Sequence, residues 1–287
     1  MNPIQLNKEQ REAINTTDGN LLIVASAGTG KTTTIVERYL NLIENNHVDP
    51  EEVMITTFTN KAAKDMTKKI TKKTTKIPKY FGTMHSIFLK LLRTHYNKAG
   101  LQPNFTLLTE ENDKKKIIKE ILKRKEIEQT SENVSYFLKR ITMYKNRSIH
   151  AEDLNEKVSI SDNNAEPEEL EGGEFAFISP KIKSLRNWVY KQYQEKLRES
   201  NTLDFDDILL YTYLLFEKNQ DLRKEYQERL KYILVDEAQD LNLVQRKIIE
   251  LLQNNNVCLI GDDCQNIYSW RDTSNELIFT FDEKHKK

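Results

Sequence analysis

Residues 25–32 read Ala-Ser-Ala-Gly-Thr-Gly-Lys-Thr, a composition that suits the binding of phosphate groups. The segment follows a short apolar run at 21–24 and precedes a helix-prone stretch. Glycines let a backbone curl so that its N–H groups point at phosphate oxygens, and the following helix adds the positive end of its dipole. The lysine of such a loop reaches the β- and γ-phosphates, and the next hydroxyl is a ligand for Mg²⁺. The predicted nucleotide contacts are Ala27, Gly28, Thr29, Gly30, Lys31 and Thr32. A glycine-containing turn between a strand and a helix is the simpler alternative, and Ala25 stands where the pattern normally begins with glycine.

Asp236 and Glu237 form a second candidate group, directly after the apolar run at 232–235. Open α/β sheets bind ligands at the carboxyl ends of their strands, where these two carboxylates would lie. Asp236 would be an oxygen ligand for Mg²⁺, and Glu237 would orient the water that attacks the γ-phosphate. A solvated turn explains an acidic strand end equally well. Together with the loop at 25–32, however, the pair predicts nucleotide hydrolysis.

The elements that must position these groups occur in two separate parts of the chain. Apolar runs at 21–24, 53–57 and 80–82 alternate with helix-prone stretches, and further runs follow at 232–235 and 257–260. Strands separated by helices predict β-α-β units and an α/β fold with a parallel sheet flanked by helices. The charged stretch between the two parts carries apolar stripes at helical spacing, which predicts an inserted helical subdomain. We expect an α/β domain at 1–104 and 201–287, with the helical subdomain at 105–200.

Charge and cysteine content bear on the partner and on the cellular compartment of the protein. The chain has 44 basic and 44 acidic residues, so its total charge indicates no partner. Residues 61–79 nevertheless hold eight lysines and one acid, which would attract a polyanion but is also typical of a solvated helix face. The two cysteines suit a reducing compartment, and no apolar run approaches the ~18 residues of a membrane span. We therefore expect a soluble, cytoplasmic protein that does not bind a membrane.

Further motifs point to a family. They read ITTFTNKAAKDM at 55–66, GTMHSIF at 82–88, TLDFDDIL at 202–209 and GDDCQNIYSWRDT at 261–273. With the loop and the Asp-Glu strand they resemble, in order and spacing, the first motor domain of superfamily 1 helicases of the UvrD/Rep/PcrA type. The resemblance implies a RecA-like P-loop fold, ATP and Mg²⁺ as cofactors, and single-stranded DNA as partner. It also implies ATP-driven 3′-to-5′ translocation by an enzyme with a second motor domain. We expect that domain to be missing from this chain, and the chain alone to be weakly active.

The resemblance also assigns roles to single residues. Gln10 would read the adenine edge, and Gln265 would contact the γ-phosphate as a catalytic group beside Lys31 and Glu237. Gln239 would couple the nucleotide and nucleic-acid sites. In many relatives an arginine at the position of Thr33 stacks on the adenine. Thr33 would therefore contact the nucleotide in a different way. Single-stranded DNA would be bound by Thr57, Phe58, Asn60, Thr83, His85, Tyr268, Trp270 and Arg271.

Three other functions compete with this interpretation. A GTPase would carry Asn-Lys-x-Asp after a strand, but the similar string at 60–63 reads Asn-Lys-Ala-Ala. A small-molecule kinase would leave the Trp270-Arg271 motif unexplained, because base stacking on an aromatic ring is a nucleic-acid contact. A naturally short module that binds nucleotide and DNA in order to dock on a partner remains the main alternative.

Overall fold

A computed structural model describes residues 6–26, 28–154, 168–169, 175–176 and 178–262. The chain forms two compact units, which we call the sheet unit (1–91 with 215–287) and the helical unit (92–214). The boundaries between these units fall inside two helices, Met84–Thr94 and Phe205–Lys218. The domain boundaries at 104/105 and 200/201 therefore stay a prediction. Within the described ranges, no helix is both long and apolar enough to span a bilayer.

Among the described residues, the sheet unit has five parallel strands: β1 Leu21–Val24, β2 Val53–Thr57, β3 Tyr80–Thr83, β8 Tyr232–Val235 and β9 Val257–Gly261. They lie in the order β1-β9-β8-β2-β3. This arrangement confirms the predicted α/β fold class with a parallel sheet. Three of the predicted strands have the observed bounds, and the other two are one residue longer than predicted.

Helices flank this sheet, and their apolar sides make its core. They are α1 Lys8–Asn15, α2 Lys31–Glu44, α3 Asn60–Thr71, α4 Met84–Thr94, α10 Gln220–Arg229 and α11 Leu243–Leu252. Ile35 and Tyr39 of α2 pack with Ile55 of β2, Leu234 of β8 and Ile260 of β9, and all five are fully buried. Every residue of β2 and β9 is buried, which is why these strands read as unbroken runs without alternation. Because the strands are parallel, their carboxyl ends lie along one edge.

The helical unit has its own core. Ile118, Phe137, Val189 and Tyr193 are buried there, in line with the helical stripes in the sequence. Its helices are α5 Glu111–Arg124, α6 Ser131–Asn146, α7 Pro180–Ser184, α8 Arg186–Glu199 and the first part of α9 Phe205–Lys218. Two strand pairs complete it: β4 Thr106–Leu108 runs parallel to β7 Thr202–Asp204, and β5 Glu168–Glu169 runs antiparallel to β6 Phe175–Ala176.

A buried polar group in the helical unit, which we call the Lys145 network, joins α6, α8 and the start of α9. The Lys145 ammonium lies 2.7 Å from Asp204 Oδ2 and 2.8 Å from Asp207 Oδ1, and none of the three side chains is more than 3% exposed. Tyr193 Oη donates to Asp204 Oδ2 at 3.0 Å, and Gln194 Nε2 donates to Asp207 Oδ1 at 3.1 Å. The backbone N–H groups of the two aspartates each bond to the other's carboxylate, so the pair also begins α9. One ammonium thus faces two buried carboxylates.

This charge imbalance predicts a pH dependence of stability. Burial and the neighbouring Asp204 raise the pKa of Asp207 to about 7. The folded state therefore holds a proton that the unfolded state releases near pH 4. The contribution of Asp207 to the free energy of unfolding is complete below that pH and is lost as the pH rises through about 7. We expect the free energy of unfolding to fall between pH 5 and 8 in urea titrations, and to fall much less in Asp207→Asn. Exposed Asp18 gives the control Asp18→Asn, which should keep the full slope; equal slopes in all three proteins would contradict the prediction.

Candidate functional site

The loop after β1 has the backbone shape that its glycines allow. Gly28 and Gly30 have φ of 78° and 92°, in the left-handed region. Gly30 is the residue before α2, and Lys31 begins the helix. The backbone angle favours glycine here, and a Cβ built on Gly30 would lie 2.9 Å from Gln10 Nε2, so a side chain would displace that amide. Ala27 lies outside the described residues.

Lys31 and Glu237 meet although they come from opposite ends of the chain. Lys31 Nζ lies 3.0 Å from Glu237 Oε2, with the lysine side chain 8% exposed and the glutamate 35% exposed. Lys31 is the first residue of α2, the helix that follows β1 in the sequence, and Glu237 comes directly after β8. The fold therefore brings the two candidate groups of the sequence into direct contact at the carboxyl edge of the sheet.

Gln239 holds Glu237 in this position. Gln239 Nε2 donates to Glu237 Oε2 at 2.8 Å, and Gln239 Oε1 accepts from the backbone N–H of Asp262 at 3.0 Å. Glu237 itself has a φ of 53°, an uncommon value for a residue with a side chain. A Cβ on Gly261 would come within 2.8 Å of Gln239 Oε1, so this glycine makes room for the amide. The amide thus connects the end of β8 to the end of β9.

Asp236 offers the oxygen donors that a magnesium ion prefers. Its side chain is buried, and burial raises its pKa to about 6, with the Glu237 charge adding to the effect and Lys31 and Lys69 opposing it. Thr32, in the first turn of α2, is half-buried and supplies a hydroxyl. A carboxylate and a hydroxyl fit Mg²⁺, which usually takes few protein ligands and completes its shell with phosphate and water. Among the described residues, no group of three or more His, Cys, Asp or Glu side chains could hold a metal.

Gln10 reaches the loop from α1. Its Nε2 donates to the carbonyl oxygen of Thr29 at 2.9 Å, while its Oε1 accepts from the backbone N–H of Asn7 at 3.0 Å. The side-chain oxygen of Asn7 accepts from the backbone N–H of Gln10, so the two residues form a capping box at the start of α1. The helix-capping and loop-facing roles of Gln10 are therefore present together, and its contact with adenine stays a prediction.

Five of the predicted DNA-binding residues lie at the carboxyl ends of β2 and β3. Thr57 and Thr83 are register partners on these neighbouring strands. Thr57 is buried and donates to the Thr59 carbonyl, and the hydroxyl of Thr83 accepts from the backbone N–H of Ser86. Phe58 and His85 are half-buried next to them, and Asn60 is exposed at the start of α3. These residues share the sheet edge that carries Lys31 and Glu237.

The other predicted residues fall in the last part of the chain. Residues 263–287 lie outside the described ranges, and with them Gln265, Tyr268, Trp270 and Arg271. One contact was missed by the sequence analysis, which placed Lys69 only in a general basic segment. In the structure Lys69 Nζ lies 3.5 Å from Thr33 Oγ1, beside the loop. The packing of α3 against α2 creates this contact, and no local pattern indicates it.

Comparison with known proteins agrees with the geometry. Residues 6–286 match the family model described as the UvrD/REP helicase N-terminal domain. The chain is 36% identical over 283 residues to a probable DNA helicase II homolog of Rickettsia conorii, covering 97% of this chain and 40% of the relative. It is 34% identical over 284 residues to the ATP-dependent DNA helicase PcrA of Staphylococcus epidermidis, covering 98% of this chain and 36% of the relative. The chain thus spans well under half the length of these relatives.

Proposed function

Because this chain belongs to the UvrD/REP helicase N-terminal domain family, we propose that it is the ATP-binding part of a DNA helicase that moves 3′ to 5′ along single-stranded DNA. The observation that supports this most directly is the 3.0 Å contact between Lys31 and Glu237. A phosphate-binding lysine and a water-orienting carboxylate are in reach of each other, at the edge where parallel sheets bind ligands.

In the proposed reaction, the loop at 27–33 binds the phosphates and Lys31 exchanges its bond to Glu237 for one to the β- or γ-phosphate. Thr32 and Asp236 would hold Mg²⁺, which would neutralise developing charge on the phosphate oxygens. Glu237 would then be free to orient the attacking water, with its position maintained by Gln239. Gln265 would contact the γ-phosphate as a further catalytic residue, and Gln10 the adenine.

The same sheet edge would form one wall of the DNA channel. Thr57, Thr83 and Asn60 offer hydroxyl and amide groups that grip phosphates and sugars without reading sequence. Phe58 and His85 lie beside them, and Tyr268, Trp270 and Arg271 would add base stacking and a cation. Nucleotide and DNA would thus bind along a single edge, so that closing the site around one affects the other.

We further propose that these 287 residues by themselves bind ATP weakly, turn it over slowly and do not unwind DNA. In the complete enzyme, arginines of a second motor domain would reach the γ-phosphate, and such groups contribute ~10³–10⁵ in rate. The proposed partners of the chain are therefore single-stranded DNA and a second motor domain.

The test is ATP hydrolysis by this chain with and without single-stranded DNA, with Glu237→Gln as the blank and nucleotide binding measured in parallel. Binding that depends on Lys31, together with slow turnover that single-stranded DNA does not stimulate, would support the proposal. DNA-stimulated turnover abolished by Glu237→Gln would show that the chain completes its own site. The absence of any nucleotide binding would overturn the proposed function.

A further inference from the structure

Two lysines reach α2 from α3 and from the turn that follows it. Thr33 and Glu37 lie four residues apart on α2, so they share one helix face, whereas Lys69 lies on α3 and Lys73 lies just after its end. Lys73 Nζ binds Glu37 Oε1 at 2.5 Å. One turn closer to the phosphate-binding loop, Lys69 Nζ faces the neutral hydroxyl of Thr33 at a long 3.5 Å. Of these two lysines, Lys69 lies nearer the loop and faces a hydroxyl, whereas Lys73 faces a carboxylate.

Lys69 has no ion-pair partner among the described residues, whereas its neighbour Lys68 contacts Asp65. The first turn of α2, where Thr33 lies, contains no acidic residue. Because a helix N-terminus carries positive partial charge, an ammonium beside it is unfavourable until an anion binds.

The position of Lys69 indicates which part of a ligand it would meet. Lys31 is turned toward Glu237, where the terminal phosphate is proposed to lie. Thr33 lies on the side of Gln10: a Cβ on Gly30 would be 2.9 Å from Gln10 Nε2 and 4.0 Å from Thr33 Cβ. Lys69 therefore approaches the loop on the side of Thr33 and Gln10.

We propose that Lys69 is a second cationic contact for the bound nucleotide, made to the phosphates nearest the nucleoside, in a site shared by α1, α2 and α3. This inference rests on the proposed binding of nucleotide at the loop. In this role Lys69 increases the affinity of the protein for nucleotide, whereas a lysine of a general basic surface would attract DNA. Both ADP and ATP carry the phosphates in question, so both should depend on Lys69.

The test compares dissociation constants for Mg²⁺–ATP and Mg²⁺–ADP by displacement of a fluorescent nucleotide. Lys69→Ala should weaken both by about tenfold, the effect of one charge-assisted contact. Lys69→Arg should stay close to the wild type. Moving the charge onto α2 in Thr33→Lys/Lys69→Ala should recover most of the affinity, which a purely structural role for Lys69 would not allow.

The matched control is Lys64→Ala, which removes the same charge from the same helix at an exposed position well around the helix from Lys69. It should change neither dissociation constant by more than about twofold, since distant exposed charges are screened. Wild-type affinity in Lys69→Ala, with binding lost in Lys31→Ala, would overturn this inference alone. A loss for ATP but not ADP would overturn the assignment to the nucleoside side. If the wild type binds no nucleotide, the proposed function fails first.

Discussion

Glu237→Gln is expected to lower the rate of ATP hydrolysis by ~10²-fold or more while ATP binding becomes a few-fold tighter. The rate falls because an amide cannot accept the proton of the attacking water. Binding tightens because the carboxylate that pairs with Lys31 at 3.0 Å is removed, so the lysine no longer exchanges an ion pair for the phosphate. The binding gain is small, since Glu237 is 35% exposed and water already weakens the pair.

A lower rate of hydrolysis together with tighter binding distinguishes the proposed role of Glu237 from that of a residue that only supports the fold. Single-turnover hydrolysis with excess protein measures the rate, and nucleotide displacement measures the affinity. Lys31→Ala is the matched control, because removal of the other partner of the same pair should weaken binding instead. If Glu237→Gln hydrolysed ATP at the wild-type rate, another group would have to orient the water. If it weakened binding as Lys31→Ala does, the ion pair would be supporting the loop.

Lys145→Met is expected to lower the stability of the helical unit by ~3–5 kcal/mol, the usual cost of leaving a buried charge unpaired. Burial by itself would lower the pKa of Lys145, but the charges of Asp204 and Asp207 raise it, so the lysine is a cation in the folded protein. Burial likewise disfavours the Asp204 anion, and the Lys145 charge outweighs burial and lowers the pKa of Asp204 to about 2. Methionine fills a similar volume but leaves the Asp204 anion without a cationic partner.

Hydrogen–deuterium exchange can follow the opening of the helical unit separately from that of the sheet unit. Exposed Lys119 on α5 gives the control Lys119→Met, which should cost under about 0.5 kcal/mol. In a background of Asp204→Asn and Asp207→Asn, Lys145→Met should cost much less than in the wild type, because no anion is then left behind. An equal cost in both backgrounds would attribute the loss to packing and contradict the charge argument.

The sequence was most informative where one local pattern decides both structure and chemistry. The runs at 21–24, 53–57 and 232–235 predicted three strands with the observed bounds, because parallel strands flanked by helices are rich in apolar and β-branched residues. The prediction that Lys31 and Glu237 lie close together followed from the same reasoning, since parallel strands end at one edge. Neither prediction needed knowledge of how distant side chains pack.

Contacts between elements that are remote in sequence were beyond such reasoning. Lys145 reads as one more polar residue of a charged helix, and only the packing of α6 and α8 against the start of α9 buries it completely between two aspartates. Lys69 is one of eight lysines between 61 and 79, and only the packing of α3 against α2 distinguishes it from its neighbours. In both cases the decisive quantity is a distance between helices.

The strand order has a consequence for how the protein is made. Among the strands that the structure describes, β1 has β9 as its only neighbour, and β9 spans residues 257–261. During synthesis β1 leaves the ribosome early, but its partner strand is translated more than two hundred residues later, a delay of roughly ten to fifty seconds at typical elongation rates. The helical unit, which is continuous in sequence, is complete well before then. The strand that leads into the phosphate-binding loop is thus among the first parts of the chain to be synthesised and among the last to gain its place.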